Sequence, residues 1–116
     1  MDLTIDGNPL PKARARITRR GNFTPARTLH NEMSIEWEMK AKVANPVRGA
    51  LVVDVDFFRG DKRAVDIDNL VKQIFDCGNG VVWHDDSQVV ALYAQKLFDK
   101  QRPRTELRVW RMVEPE

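Results

Sequence analysis

The chain has 116 residues, of which 42% are apolar and 31% charged, with a formal net charge of +2; this leaves room for one hydrophobic core and excludes a disordered chain. Its apolar runs are only a few residues long, far short of the roughly 18 a membrane span needs, and no secretory leader pattern opens it, so a cytoplasmic protein without membrane contact is expected. The single cysteine, Cys77, excludes an internal disulfide and the cysteine-rich zinc sites.

The sign of the charge changes along the chain. Residues 1–27 carry six bases against Asp2 and Asp6, a local +4. Residues 54–86 carry eight acids against Arg59, Lys62, Arg63 and Lys72, a local −4, and residues 87–111 return to +4. Basic flanks around an acidic middle suit an enzyme of nucleic acids, in which the flanks hold a polyanion and the middle holds a cation that acts on it. Charges that merely face solvent give the same totals.

In chain order, residues 2–6 alternate in polarity and stop at Gly7-Asn8-Pro9, a strand followed by a turn. Pro9 and Pro11 exclude a helix before residue 12. Residues 12–17 alternate again, placing Lys12, Arg14 and Arg16 on one side of an extended segment, and Arg19-Arg20-Gly21-Asn22 reads as a turn. Residues 28–44 read as a helix with Thr28 as N-cap and an apolar stripe of Leu29, Met33, Trp37 and Ala41 that Met39 and Val43 widen. That stripe is expected to face the core or a dimer partner. Asn45-Pro46 ends the helix.

Residues 50–58 are β-branched and aromatic, a strand with Asp54 and Asp56 on one face and Val53, Val55 and Phe57 on the other. A charged loop, Arg59 to Arg63, leads to a helix from Asp66 to Cys77 that turns Leu70 and Ile74 inward and ends at Gly78-Asn79-Gly80. Val81 to Trp83 is a short apolar piece. Strands over 89–97 and 105–113 follow, joined by a turn at 99–103. The expected architecture is a single α/β (α+β) domain spanning 1–116, with a mixed sheet of four to six strands and two main helices. Trp37 and Trp110 are expected in core or interface, and Trp83 under the acidic loop.

Three features carry chemistry: Asp66-Ile67-Asp68-Asn69, Lys72 one helical turn later, and Asp85-Asp86 after Trp83. Phosphodiester hydrolysis needs an activated water and a counter-charge for the transition state, both of which Mg²⁺ or Mn²⁺ supplies when held by carboxylates. Two aspartates at a helix mouth can share one cation, a third from a distant loop can complete an open site, and the lysine can reach a phosphate oxygen. Each feature also has a plain alternative. Asp66 and Asp68 can cap the helix, Lys72 can pair with Asp68, and Asp85-Asp86 can be a solvated turn.

The run Asp66-x-Asp68-Asn69-x-x-Lys72-x-x-x-Asp76, followed by Trp83-x-Asp85-Asp86-x-Gln88-Val89, resembles the signature of the RusA family of Holliday junction resolvases, and Gly7 to Arg16 loosely resembles its opening. The resemblance implies a homodimeric, metal-dependent endodeoxyribonuclease that nicks four-way junctions symmetrically, without an organic cofactor. It implies Asp66, Asp68 and Asp86 as catalytic, metal-holding acids and Lys72 as catalytic lysine, with Asp85 beside the metal ligands. Lys12, Arg14, Arg16, Lys62 and Arg63 are the expected DNA contacts, and Phe23 is a candidate for stacking on unpaired bases. Departures from the pattern are the sparse basic loop before Asp66, the glycine-rich helix exit, and His84, where the family has an aliphatic residue. A DNA-binding module without catalysis and a small metal nuclease acting on forks or flaps remain the alternatives.

Overall fold

The computed structural model describes residues 1–11, 16–18, 21–23 and 26–113, and side chains within residues 1–11 and 30–113. Strand β1 (Asp2–Asp6) is followed by a short ladder of β2 (Arg16–Thr18) and β3 (Gly21–Phe23), then helix α1 (Ala26–Lys42), strand β4 (Leu51–Arg59), helix α2 (Ile67–Gly78), a 3₁₀ turn (Asp86–Gln88), and strands β5 (Val89–Phe98) and β6 (Arg104–Arg111). The main sheet has the order β1-β6-β4-β5. β6 is antiparallel to both β1 and β4, whereas β4 and β5, joined through α2, are parallel. This is the expected mixed sheet with two helices.

The core lies between one face of the sheet and the helices. Alternation in β4 buries Val53, Val55 and Phe57 and leaves Asp54, Asp56 and Phe58 on the open face. Against the buried row α2 sets Leu70, Ile74 and Cys77, spaced so that they share one side of the helix. Burying a side chain such as Leu70 or Phe57 stabilises by roughly 1.5–3 kcal/mol, so this stripe, rather than helix propensity, holds α2 in place.

Helix α1 departs from expectation. It begins two residues early, so Thr28 lies inside it and is not its N-cap, and it ends at Lys42, ahead of Asn45-Pro46. The buried side chains are Met39 and Val43, with Ile35 packed alongside, while Met33 and Trp37 are 69% and 78% exposed. The stripe Met33-Trp37-Ala41 therefore turns away from the core. Both stripes have helical spacing, and the neighbouring elements, not the residue sizes, select the one that is buried. Trp110 is also largely exposed, on the open face of the sheet, so the core reading fails for it too.

Trp83 is fully buried, as expected. Its ring meets Phe75 edge-on at 5.5 Å, and its Nε1 donates to Asn79 Oδ1 at 2.9 Å. The glycine-rich exit of α2 has a steric cause. A Cβ on Gly78 would lie 2.6 Å from Trp83 Cζ2, so the indole lies directly against the Gly78 backbone. Gly80, at φ +77°, occupies a backbone region that favours glycine. We expect Gly78→Ala to destabilise the protein by ~1–3 kcal/mol through overpacking, measured as a lower urea midpoint; an unchanged midpoint would show that the indole gives way freely.

Candidate active site

Because β1, β4 and β5 run in the same direction, the segments that follow them lie at one end of the sheet. Side chains stitch these segments together. Asn8 Oδ1 accepts the Gly60 N–H at 2.8 Å and its Nδ2 donates to Asp61 Oδ2 at 3.2 Å. Buried Arg59 donates to the Pro9 carbonyl and pairs with Asp61 at 3.0 Å. The Arg63 N–H is foremost in holding the Asp61 carboxyl below its ordinary 3.8, with the Arg59 charge and Asn8 adding to it. The Gly7-Asn8-Pro9 turn is thereby anchored to the loop that leads into α2. Asn8, Arg59 and Asp61 brace this end of the sheet, a role to which only the charged character of the Arg59 to Arg63 loop pointed in the sequence.

That loop delivers Asp66 and Asp68 to the mouth of α2. Asp66 sits at the N-cap with extended backbone angles, but its carboxylate makes no capping bond. Asp68 is exposed and accepts the Asn69 N–H at 2.9 Å. Among the described residues neither acid has an ion-pair partner, and no ion pair joins Lys72 to Asp68. The capping role offered for Asp66 and the pairing role offered for Lys72 are thus not what these side chains do here. Two uncompensated carboxylates remain where the helix N-terminus favours negative charge. Nearby, Lys62 Nζ lies 5.2 Å from the centre of the Phe98 ring and Lys96 Nζ donates to the Val65 carbonyl at 2.7 Å, while Arg63 is exposed. Lys12, Arg14 and the side chains of Arg16 and Phe23 lie outside the described residues.

Asp86 stands elsewhere. Its Oδ2 is 3.4 Å from Nδ2 of Asn79, the C-cap of α2. With a rise of 1.5 Å per residue, the 12 residues of α2 separate Asp86 from the Asp66/Asp68 mouth by roughly 18 Å. Accordingly, no group of three or more potential metal ligands gathers within the chain among the described residues.

The turn that carries Asp86 is rigidly built. Gln88 Oε1 accepts the N–H groups of His84 and Asp85 at 2.8 and 3.0 Å, and its Nε2 donates to the carbonyls of Val47 and Gly49 at 2.9 and 3.0 Å. Asp85 caps the turn by accepting the Ser87 N–H at 3.0 Å, and hydrogen bonds from the Ser87 hydroxyl and N–H hold its carboxyl below 3.8. Asp85-x-x-Gln88 is a capping box, legible in the sequence. The imidazole of His84 is exposed.

The fold is a small α+β domain with acids placed on helix and turn termini. The chain matches the family model of the endodeoxyribonuclease RusA over residues 6–110, and it belongs to that family of endodeoxyribonucleases. No curated protein matches it. No helix is long and apolar enough to cross a membrane among the described residues.

A carboxyl depressed in the folded state contributes stability above its unfolded pKa and loses it as pH falls through the folded value. Asp61 and Asp85, and likewise Asp99, whose carboxyl the Arg102 N–H and Arg104 side chain hold low, therefore predict stability that is retained above about pH 4 and lost progressively below it. Urea midpoints measured from pH 6 to pH 3 check this, and Asp85→Asn is expected to flatten the curve. Gln88→Ala strands several polar groups at once, and we expect it to cost ~1–3 kcal/mol in the same assay.

Proposed function

We propose that the protein resolves four-way DNA junctions as a homodimer by paired nicks, with Mg²⁺ or Mn²⁺ held by Asp66, Asp68 and Asp86. One observation carries the reading: in a chain matched to the RusA family over residues 6–110, two exposed carboxylates stand uncompensated at the mouth of α2. Their hard oxygen donors fit Mg²⁺ or Mn²⁺ and leave room for water and a phosphate oxygen. A cation bound there lowers the pKa of water and offsets charge on the scissile phosphate.

The residues of the chain have separate tasks. Lys72, one turn beyond Asp68, points its charge at a phosphate oxygen and stabilises the charge that builds up during cleavage. Lys62 and Arg63, with Lys12, Arg14 and Arg16, grip the flanking phosphates, which positions the branch without reading sequence. Carboxylates that share one ion lie within about 5 Å of each other, given metal–oxygen distances of 2.0–2.6 Å. A gap of roughly 18 Å along α2 rules that out for Asp86 of the same chain. Asp86 therefore joins the site from the second copy, and each site is shared between two chains.

Mixing inactive variants tests this. Asp68→Asn and Asp86→Asn are each expected to lower nicking of a labelled junction on the order of a thousandfold, with junction binding retained. In a re-equilibrated one-to-one mixture, half the dimers are mixed, and each of these has one site with no substitution. About a quarter of wild-type site activity returns if the site is shared, as single rather than paired nicks. No recovery rejects the shared site, and equal cleavage of fork, flap and junction rejects resolution as the activity.

A further inference from the structure

Residues 99–103 join β5 to β6 although β4 lies between these strands in the sheet. The connection therefore crosses the end of β4, where the chain leaves the sheet for the mouth of α2. It is fastened on both sides. The Asp99 N–H donates to the Arg59 carbonyl at 2.8 Å, and the Gly7 N–H donates to the Pro103 carbonyl at 3.1 Å. A Cβ on Gly60 would lie 2.7 Å from Pro103 Cγ, so the proline ring rests on that backbone. Within the turn, Asp99 Oδ1 accepts the N–H groups of Gln101 and Arg102 at 3.1 and 3.0 Å. Arg104 Nη1 closes it, donating to Asp99 Oδ2 at 2.9 Å and to the Arg102 carbonyl at 3.0 Å.

This frame holds out positive charge. Residues 87–111 carry six bases, and the fold divides them. Arg104 and Arg108 are taken up by ion pairs on the open face, and Lys96 donates to the Val65 carbonyl. Arg111 ends β6 at the far end of the sheet, opposite Leu51. Lys100 and Arg102 remain, exposed at the tip of the turn. Lys100 has no ion pair among the described residues. Arg102 approaches Asp6 at 3.7 Å, but both side chains are largely exposed and such a pair adds little. The turn also adjoins the loop of Lys62 and Arg63, since Lys62 Nζ lies 5.2 Å from the ring centre of Phe98, the residue before it. We propose that residues 99–103 are a phosphate grip, in which Lys100 and Arg102 hold the backbone of a DNA strand entering at the mouth of α2. Arg102 offers phosphate oxygens a fork of donors and Lys100 a point charge. Because the turn is already ordered, less conformational freedom is lost on binding than from a loose basic loop. The proposal rests on the reading above that the chain binds junctions.

The salt dependence of binding tests it. Each phosphate contact contributes about 0.9 to the slope of log affinity against log salt. The full chain is titrated onto a labelled four-way junction without divalent cations. Lys100→Ala and Arg102→Ala should each lower the magnitude of that slope by about 0.9, and the double variant by about 1.8. Lys100→Arg should leave it unchanged, as should Lys40→Ala, at an exposed lysine in the last turn of α1. Asp99→Ala separates a built turn from charge alone. It removes a negative charge, so charge alone would tighten binding, whereas release of the turn weakens it. Far-UV circular dichroism confirms that the variants fold. An unchanged slope in the double variant, an equal drop in Lys40→Ala, or tighter binding by Asp99→Ala overturns the proposal. A wild type that shows the expected slope changes but never nicks junctions with Mg²⁺ keeps the grip and rejects only resolution. A wild type that does not bind the junction rejects both.

Discussion

The geometry depends on the crossover from β4 through α2 to β5. Two parallel neighbouring strands need a connection that returns the chain to its starting end, and here a helix makes the return. The helix must then run against the strands, with its first residues at one end of the sheet and its last at the other. Leu70, Ile74 and Cys77 bind α2 to the sheet, and Trp83 against Gly78 fixes where it stops. Asp86, at the exit of α2, is therefore held a helix length from Asp66 and Asp68 at its mouth.

The acidic middle of the chain divides by environment. Asp54 and Asp56 lie on the open face, where Arg108 donates to them at 3.0 and 2.7 Å. Those bonds, Asp54 first, push the arginine above its ordinary value. Asp56 is nearly buried and is further satisfied by Gln95, so removing Arg108 would strand a carboxylate in a poorly solvated place. Arg104 lies with its guanidinium 3.8 Å from the centre of the Phe58 ring and bonds Asp99 and Glu106. These acids are structural. Asp66 and Asp68 lack such partners among the described residues, and this difference, rather than the count of acids, sets the helix mouth apart.

Much of this was legible in the sequence, and the failures have physical causes. Alternation at residues 2–6 and the β-branched and aromatic run at 50–58 placed β1 and β4, the strands expected over 89–97 and 105–113 match β5 and β6 to within two residues, and the Asp54/Asp56 face was read correctly, because these are local properties. In α1 two apolar stripes compete, and the stripe with the larger side chains, Met33 and Trp37, faces out. That outcome is decided by the register of the helix on the sheet. The three acids were legible as residue types, but their separation was not, since motif spacing along the chain says nothing of which end of a helix each acid occupies. The Asp85-x-x-Gln88 capping box was readable and was passed over.

Symmetry would connect assembly to the chemistry. If Asp86 comes from a second copy, as proposed, a two-fold axis would set each helix mouth against the Asp86 turn of the other chain, and shared sites would come in pairs. A junction offers two strands of like polarity around its own approximate two-fold axis, and a paired site of this kind suits two matching cuts. An isolated chain would carry both halves of the site, at opposite ends of α2, and complete neither. Coupling assembly to catalysis in this way would keep a nuclease with two exposed, uncompensated carboxylates from cutting duplex DNA as a single chain.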